Sequence, residues 1–504
     1  MFEFACKRRQ YSSTEYDALS YTWGDQTKIG VIIVNGKRLG IAQNLNTALL
    51  RLRHRTEARR LWIDAICIDQ TNVIERNHQV GMMQRVFSAA SSVIVWLGDP
   101  EHNEAFTLDM ILDHNNSLKG RKSIFSYDEK ALDGVRSLFR KPWWRRIWIV
   151  QEVVAARVLV VLLGRTTFPW IFLRELCTTV RQEEFTKHSL AAVLGQCGYQ
   201  KFTALDSLRR SRAKPLVRLL QSTQDYQATD PRDKLYALLG MASDISAEDF
   251  VPDYSKPVRQ VFEELIAFMA VHRKNLDLIC LGHFNDQTQA SPSWLPCWQP
   301  SAGIRPLSGR NLVDSTERDT KAVVDMTQFP HKLIAEGIIV DNIQLDGGSA
   351  TIVHECWSTI QRWQNLAEQN EKCGMWDFLR GIIVNEDYLN TGVTWSYTDF
   401  ASFMSGSGQV RSRAMQGLSD AITRTVMGRR FFITSKGRMG LAPAKVQLQD
   451  SIVLLKGCGM PLIIREFHDH WVVLGEAYIP GLMDIDTALE LEGGQCRARM
   501  IQLK

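Results

Sequence analysis

The chain has ten cysteines but no CxxC pair. Single, scattered cysteines exclude a disulfide framework and a zinc ribbon, and they fit buried thiols in a reducing compartment. No apolar run approaches the roughly 18 residues that a membrane span needs. The opening residues, MFEFACKRRQ, bring charge too early for a secretory signal. A cytosolic (cytoplasmic) chain with no membrane span is expected. Excess charge is scarce as well: the formal net charge is +5 over 504 residues, so no nucleic-acid partner is expected. The arginine-rich stretches 51–60 (RLRHRTEARR) and 208–218 read as solvated helix faces. There is no GxxxxGK[ST], no GxGxxG after a strand, no HExxH, no GxSxG and no kinase signature. His468 and His470 flank Asp469, which fits a polar surface turn better than a metal site. No metal site and no required cofactor are expected.

What is present is a globular composition, 45% hydrophobic and 23% charged. The most informative stretch is LWIDAICIDQTNVIERNHQVGMM, residues 61–83. Its start, 61–68, is apolar on both faces and predicts a central parallel strand carrying Asp64 in its middle. Asn72 is then a candidate N-cap with Glu75 three residues on, a variant of the capping box. Val80, Met83, Phe87 and Ala90 share one helix face. The run 92–99, SVIVWLGD, is the next strand, so strand, helix and strand form a βαβ unit with parallel strands. That puts Asp69 and Gln70 at the carboxyl end of a parallel strand, where open α/β sheets bind ligands.

Around this core, YDALSYTWGD (16–25) reads as a short strand that breaks at Trp23 and Gly24. GVIIVNGKRLGI (30–41) is a hairpin turning at Asn35-Gly36. NLNTALLRLR (44–53) is a helix with Asn44 as its cap. Pro142 suits the first turn of a helix running over 143–156, on which Trp144, Trp148 and Glu152 would share a face. RVLVVLLG (157–164) is another buried strand. Residues 170–280 read as mostly helical, with Asp230-Pro231 starting a turn and Asp233 capping the helix that follows. Residues 429–481 are β-rich with glycines at turn spacing, a small barrel or sandwich. Three regions result: an α/β parallel-sheet region at 1–165, a mostly helical region at 166–328, and a mixed α/β region with a β-rich barrel or sandwich at 329–504.

Three groups of residues carry candidate chemistry. Asp64, inside an apolar strand, needs a partner. Arg85, Arg145 and Arg146 are within reach in sequence, and the assignment is structural, with ligand orientation as the alternative. Asp69, Gln70, Asn72, Glu75 and Arg76 surround a helix N-terminus, whose free N–H groups suit a phosphate, although Asp69 would repel one. Capping alone explains the same residues. Glu152 lies beside indoles, which raise a carboxylate's pKa and offer stacking surfaces, unless this is ordinary core packing.

In series, YDALSYTWGD, NLNTALLRLR, LWIDAICIDQTNVIERNHQVGMMQRVFSAASSVIVWLGD and KPWWRRIWIVQE resemble the successive motifs of the fungal heterokaryon incompatibility (HET) domain over residues 16–156. TDPRDKLYALLG, VPDYSKPV, RRFFITSKGRMGLAP and WVVLGEAYIPGLMD resemble the usual flank of such proteins. The resemblance implies non-self recognition, with the HET domain triggering programmed cell death through self-assembly or protein partners. HET domains are also distantly similar to TIR domains, which implies a TIR/flavodoxin-like fold. By motif, Glu152 would then stand where TIR enzymes keep the glutamate that serves NAD cleavage. On that view Trp23 or Trp148 would stack a ring of the substrate, Gly24 would belong to the same ligand-binding set, and the helix start near Asn72 would take the pyrophosphate, with NAD a substrate rather than a cofactor. A HET-type scaffold recruited to other small-molecule chemistry is the remaining alternative.

Overall fold

The computed structural model describes residues 3–4, 15–27, 29–101, 103–109, 129–183, 198–246, 248–284, 291–296, 321–349, 356–369, 422–423, 425–482 and 497–504. The chain divides into two compact units, Met1–Ser255 and Lys256–Lys504.

The strands of the first unit are β1 (Glu3–Phe4), β2 (Asp17–Ser20), β3 (Ile29–Val34), β4 (Lys37–Ala42), β5 (Leu61–Trp62), β6 (Ser92–Trp96), β7 (Leu159–Leu163) and β8 (Thr166–Pro169). Five of them form one sheet in the order β5-β2-β6-β7-β8. Asp17 of β2 lies level with Leu61 of β5 and with Ser92 of β6, both in parallel register. β7 continues the parallel run, and β8 closes it as an antiparallel edge. Ala18, Leu19, Val93, Ile94 and Val95 are buried, as strands covered on both faces should be. The expected β3–β4 hairpin is present, and Asn35 and Gly36 both take the positive φ that a type I′ turn demands.

Residues 61–68 are not a central strand. β5 stops at Trp62 on the sheet edge, and Asp64–Cys67 is one turn of helix. The cause is local. The Asp64 carboxylate accepts the N–H of Ala65 at 2.7 Å, and the amides of Ile66 and Cys67 fold back onto the Ile63 carbonyl. A short acidic side chain that bonds its neighbouring backbone favours a turn over a ladder. The apolar residues still pack: Ile63 is buried, and Leu61, Ala65 and Ile66 lie against a cluster built from Leu19, Leu45, Leu49, Ile94 and Trp96. Burial of each such side chain contributes about 1.5–3 kcal/mol. β5 and β6 are parallel as expected, but β2 separates them.

The 143–156 helix is also broken. Pro142–Arg145 is a 3-10 turn with proline in its first turn, and the α-helix runs over Ile149–Ala155. Between them Arg146 and Ile147 take part in pairing with Gln227. Asn44 does not cap its helix, Gln43–Leu52. Its side chain instead donates to the Thr22 carbonyl and accepts from Trp96 Nε1. The stretch 51–60 leaves the helix after Leu52, and Arg51 and Arg59 are held by Asp99 and Asp17.

In the second unit, strand β9 (Val324–Asp325) flanks the long β10 (Leu333–Ser349). They are followed by β11 (Arg429–Thr434), β12 (Met439–Pro443), β13 (Ser451–Leu455), β14 (Leu462–Phe467), β15 (His470–Glu476) and β16 (Arg499–Leu503). The pairing β10-β13-β14-β15-β16 returns to β10, which closes a ring, while β11 and β12 extend from the other end of β10. The β-rich stretch expected as a small barrel or sandwich is present, and the closed pairing makes it a ring of strands. Its core holds Ile338, Val340, Phe432, Ile452, Leu454 and Ile463. His468 and Asp469 are the turn between β14 and β15, and Asp469 accepts from Lys332 at 2.7 Å. Among the described residues no group of three His, Cys, Asp or Glu could hold a metal ion, and no helix is long and apolar enough to cross a membrane.

Candidate functional site

Ser20 is the last residue of β2, so its side chain stands at the carboxyl end of a central parallel strand. Its hydroxyl donates to Glu152 Oε2 and accepts from Trp143 Nε1 at 2.8 Å. Glu152 is 2% exposed. Arg146 Nη1 lies 3.7 Å from its other oxygen and also donates to the Tyr21 carbonyl. Burial pushes the Glu152 carboxyl up to about 7. The Asp64 charge adds to this, and Arg146 and the Ser20 hydrogen bond oppose it. Tyr21 is buried beside Asp64, and both the burial and that carboxylate raise its phenol. Asp64 accepts from Trp23 Nε1 at 2.9 Å, and Trp23 is 36% exposed. Gly24 follows with φ +70°, a backbone state that a glycine adopts without strain.

A second knot of polar groups lies at the start of helix Val73–Ala89. Asn72 caps it as expected, accepting from Ile74 and Glu75 N–H groups at 3.1 Å. Glu75 reaches past the cap to the amide of Asp69 at 3.2 Å. The Asp69 carboxylate accepts both the N–H and the hydroxyl of Thr71, which tightens the turn that holds Gln70. Arg76 lies over the Tyr254 ring at 3.8 Å. The Tyr254 hydroxyl and Trp148 Nε1, the latter at 3.1 Å, both donate to the Asp233 carboxylate. Burial pushes Asp233 up to about 6 against those two hydrogen bonds. Arg232 brackets Asp230 at 2.7 Å and the Tyr254 carbonyl.

The expected site residues therefore fall into two groups. Glu152 and Arg146 meet directly, with Asp64 and Trp23 beside them through Tyr21. Trp148 and Arg76 meet through Asp233 and Tyr254. Asp69, Gln70, Asn72 and Glu75 form a helix cap among themselves, and Asn72 takes two of the N–H groups that a phosphate would need. The Asp64 carboxylate is met by Trp23, Tyr21 and backbone, and the expected arginine partners Arg85, Arg145 and Arg146 do not pair with it. Arg145 is exposed, and its carbonyl accepts from Gln227. Trp144 does not share a face with Glu152, because its N–H goes to the Leu138 carbonyl inside an aromatic cluster with Trp143, Trp170 and Phe202. Asp233 is the first residue of helix Asp233–Leu239 rather than its cap. Ser20, Tyr21, Trp143 and Tyr254 were not singled out from the sequence. The available signals were Ser20 as the only hydroxyl at the end of DALS and Tyr254 inside VPDYSKPV.

A buried carboxyl that titrates near neutrality can hold or release a proton at working pH. With 2% exposure, Glu152 meets a solute only when the side chains over it move.

Residues 16–152 match the family model described as Heterokaryon incompatibility protein (HET). The chain carries a HET domain. The HET match begins one residue before β2 and ends on Glu152 itself. A second model, the Het-6 beta-barrel domain, matches residues 409–494, a span that includes strands β11 to β15. Heterokaryon incompatibility protein 6, OR allele, from Neurospora crassa is 23% identical, with 94% of this chain and 90% of that protein covered. No solved structure matches the chain.

Proposed function

We propose that this chain acts in fungal non-self recognition, and that its HET domain triggers programmed cell death when incompatible cells fuse. The observation that carries the proposal is joint. A HET domain and a Het-6 barrel occur in one chain, and the Neurospora relative that bears an incompatibility name is aligned along nearly all of both proteins. The activating contact is with a protein partner or a second copy of the chain. The test is fusion of two strains that differ only in this gene. Vital-dye uptake in the fused cells supports the proposal, and healthy fused cells at normal protein levels contradict it.

A second function rests on a separate observation, the buried Glu152 that titrates near 7 at the carboxyl end of β2. Counted along the chain, the sheet order is 2-1-3-4-5. Flavodoxin-type sheets share that order and bind ligands at this end. This supports a TIR-like cleavage of NAD. Breaking the nicotinamide–ribose bond builds an oxocarbenium-like centre, which a carboxylate beside the sugar stabilises. Arg146 and Ser20 would hold Glu152 in place, and exposed Trp23 would offer a ring to stack on. Cellular NAD after induced expression tests it: NAD falling with wild type but not with Glu152→Gln supports cleavage. Death with level NAD leaves assembly as the route.

A further inference from the structure

Cys280 and Cys458 lie 178 positions apart, yet their sulfurs are 3.2 Å apart. Cys280 is fully buried and Cys458 is 8% exposed. Both belong to the second unit. Cys280 sits in the 3-10 segment Asp277–Phe284, and Cys458 sits in the turn between β13 and β14. The pairing is not an accident of two loose loops, because two hydrogen bonds and one close backbone packing hold the same two segments. Leu276 N–H donates to the Gly457 carbonyl at 2.7 Å, the Asp277 carboxylate accepts from Gly459 N–H at 2.6 Å, and Gly457 takes φ +76° with the Ala322 backbone packed where a Cβ would be. The two sulfurs are therefore held in register by backbone that does not depend on them.

We propose that Cys280 and Cys458 are a dithiol modification site, which a peroxide or a small disulfide converts to a Cys280–Cys458 cross-link fastening the 277–284 segment to the barrel. Two thiols give up two protons and two electrons, and one S–S bond forms. With hydrogen peroxide as oxidant the O–O bond breaks and two waters leave. With a small disulfide, one cysteine sulfur attacks its S–S bond and is capped by one half while the other half leaves as a thiol, and the second cysteine then displaces the cap as a second thiol. The site needs only a small shift to bring the sulfurs to bonding distance, near 2.05 Å. The hydrogen bond with the Cys458 thiol, and then burial, raise Cys280, so the reactive thiolate is scarce and the reaction is slow. The dithiol thus persists in a reducing compartment and closes only under sustained oxidation. The loop it closes is long, which favours a large gain in resistance to unfolding.

The experiment treats the full chain with hydrogen peroxide or with oxidised glutathione, blocks the remaining thiols after denaturation, and maps linked peptides by mass. Expected is a Cys280–Cys458 peptide lighter by two hydrogens than its reduced parts. The oxidised chain should melt higher, and a phosphine reductant should reverse both changes. Cys280→Ser and Cys458→Ser each abolish the link and the melting shift. If a substituted chain fails to fold, the wild-type peptide map and its reversal decide alone. Both thiols fully blocked after prolonged oxidation, or either one linked to a different cysteine, overturns the proposal.

Discussion

Removing the Glu152 carboxyl should change how stability depends on pH. In the unfolded chain this side chain titrates at its ordinary 4.5, and in the folded chain at about 7. The folded state therefore binds the proton more tightly. Its contribution is complete below pH 4.5, declines as pH rises, and is lost above about pH 7. At 1.36 kcal/mol per pH unit, the loss across that window is about 3 kcal/mol. Glu152→Gln keeps the shape and the contact with Ser20 but cannot titrate. The variant should gain on wild type by about 3 kcal/mol between pH 4.5 and pH 8, whatever its offset from losing the Arg146 attraction. The assay is urea denaturation of both full-length proteins at constant salt across that range, followed by tryptophan fluorescence. Comparing the two proteins cancels every other titrating group. A stability difference that stays flat with pH, or that favours wild type as pH rises, would refute the placement of Glu152 as a buried acid held by Arg146 and Ser20.

Asn72→Ala should cost about 1 kcal/mol, since it releases the Ile74 and Glu75 amides at a helix start; the denaturation midpoint measures it, and Asn72→Asp should restore it. Arg429→Met should destabilise by roughly 3–5 kcal/mol, because it breaks an ion pair with Glu476, 3.5 Å away, in which both side chains are 1% exposed. The Arg429→Met, Glu476→Met double variant should recover most of that loss, as read from melting. Asp64→Asn removes the like charge beside Glu152, so the pH window of the Glu152 transition should move below 7 without losing its sign.

The sequence made the alternation of strands and helices readable where burial is two-sided and long. β2, β6 and β7 announce themselves through runs such as SVIVW and LVVLL, and Asn35-Gly36 can hardly be anything but a hairpin turn. The helix Val73–Ala89 and its Asn72 cap were legible for the same reason: a periodic face and a capping side chain. LWIDAICI misled because two-sided apolarity does not separate a central strand from one helical turn packed under a sheet edge. Asp64 held the deciding information, through a bond to its own neighbour's amide. The 143–156 segment misled because Gln227, far off in sequence, pairs with Arg146 and interrupts the helix. The candidate site was half legible. Glu152 was found by motif, but its partners Ser20 and Arg146, and Trp143 behind Ser20, come together only through the fold. Asp233 and Tyr254 enter only when the 223–255 segment folds back onto helix Val73–Ala89.

The most direct test of the account is the fraction of dye-permeable cells after induced expression of the full chain in a filamentous fungus, at a measured protein level. An incompatibility protein with a HET domain predicts that permeable cells rise with expression, and that a chain lacking residues 16–152 leaves the count at background. Viable cells at high levels of full-length, folded protein would contradict a cell-death role. So would equal killing by the chain without its HET domain.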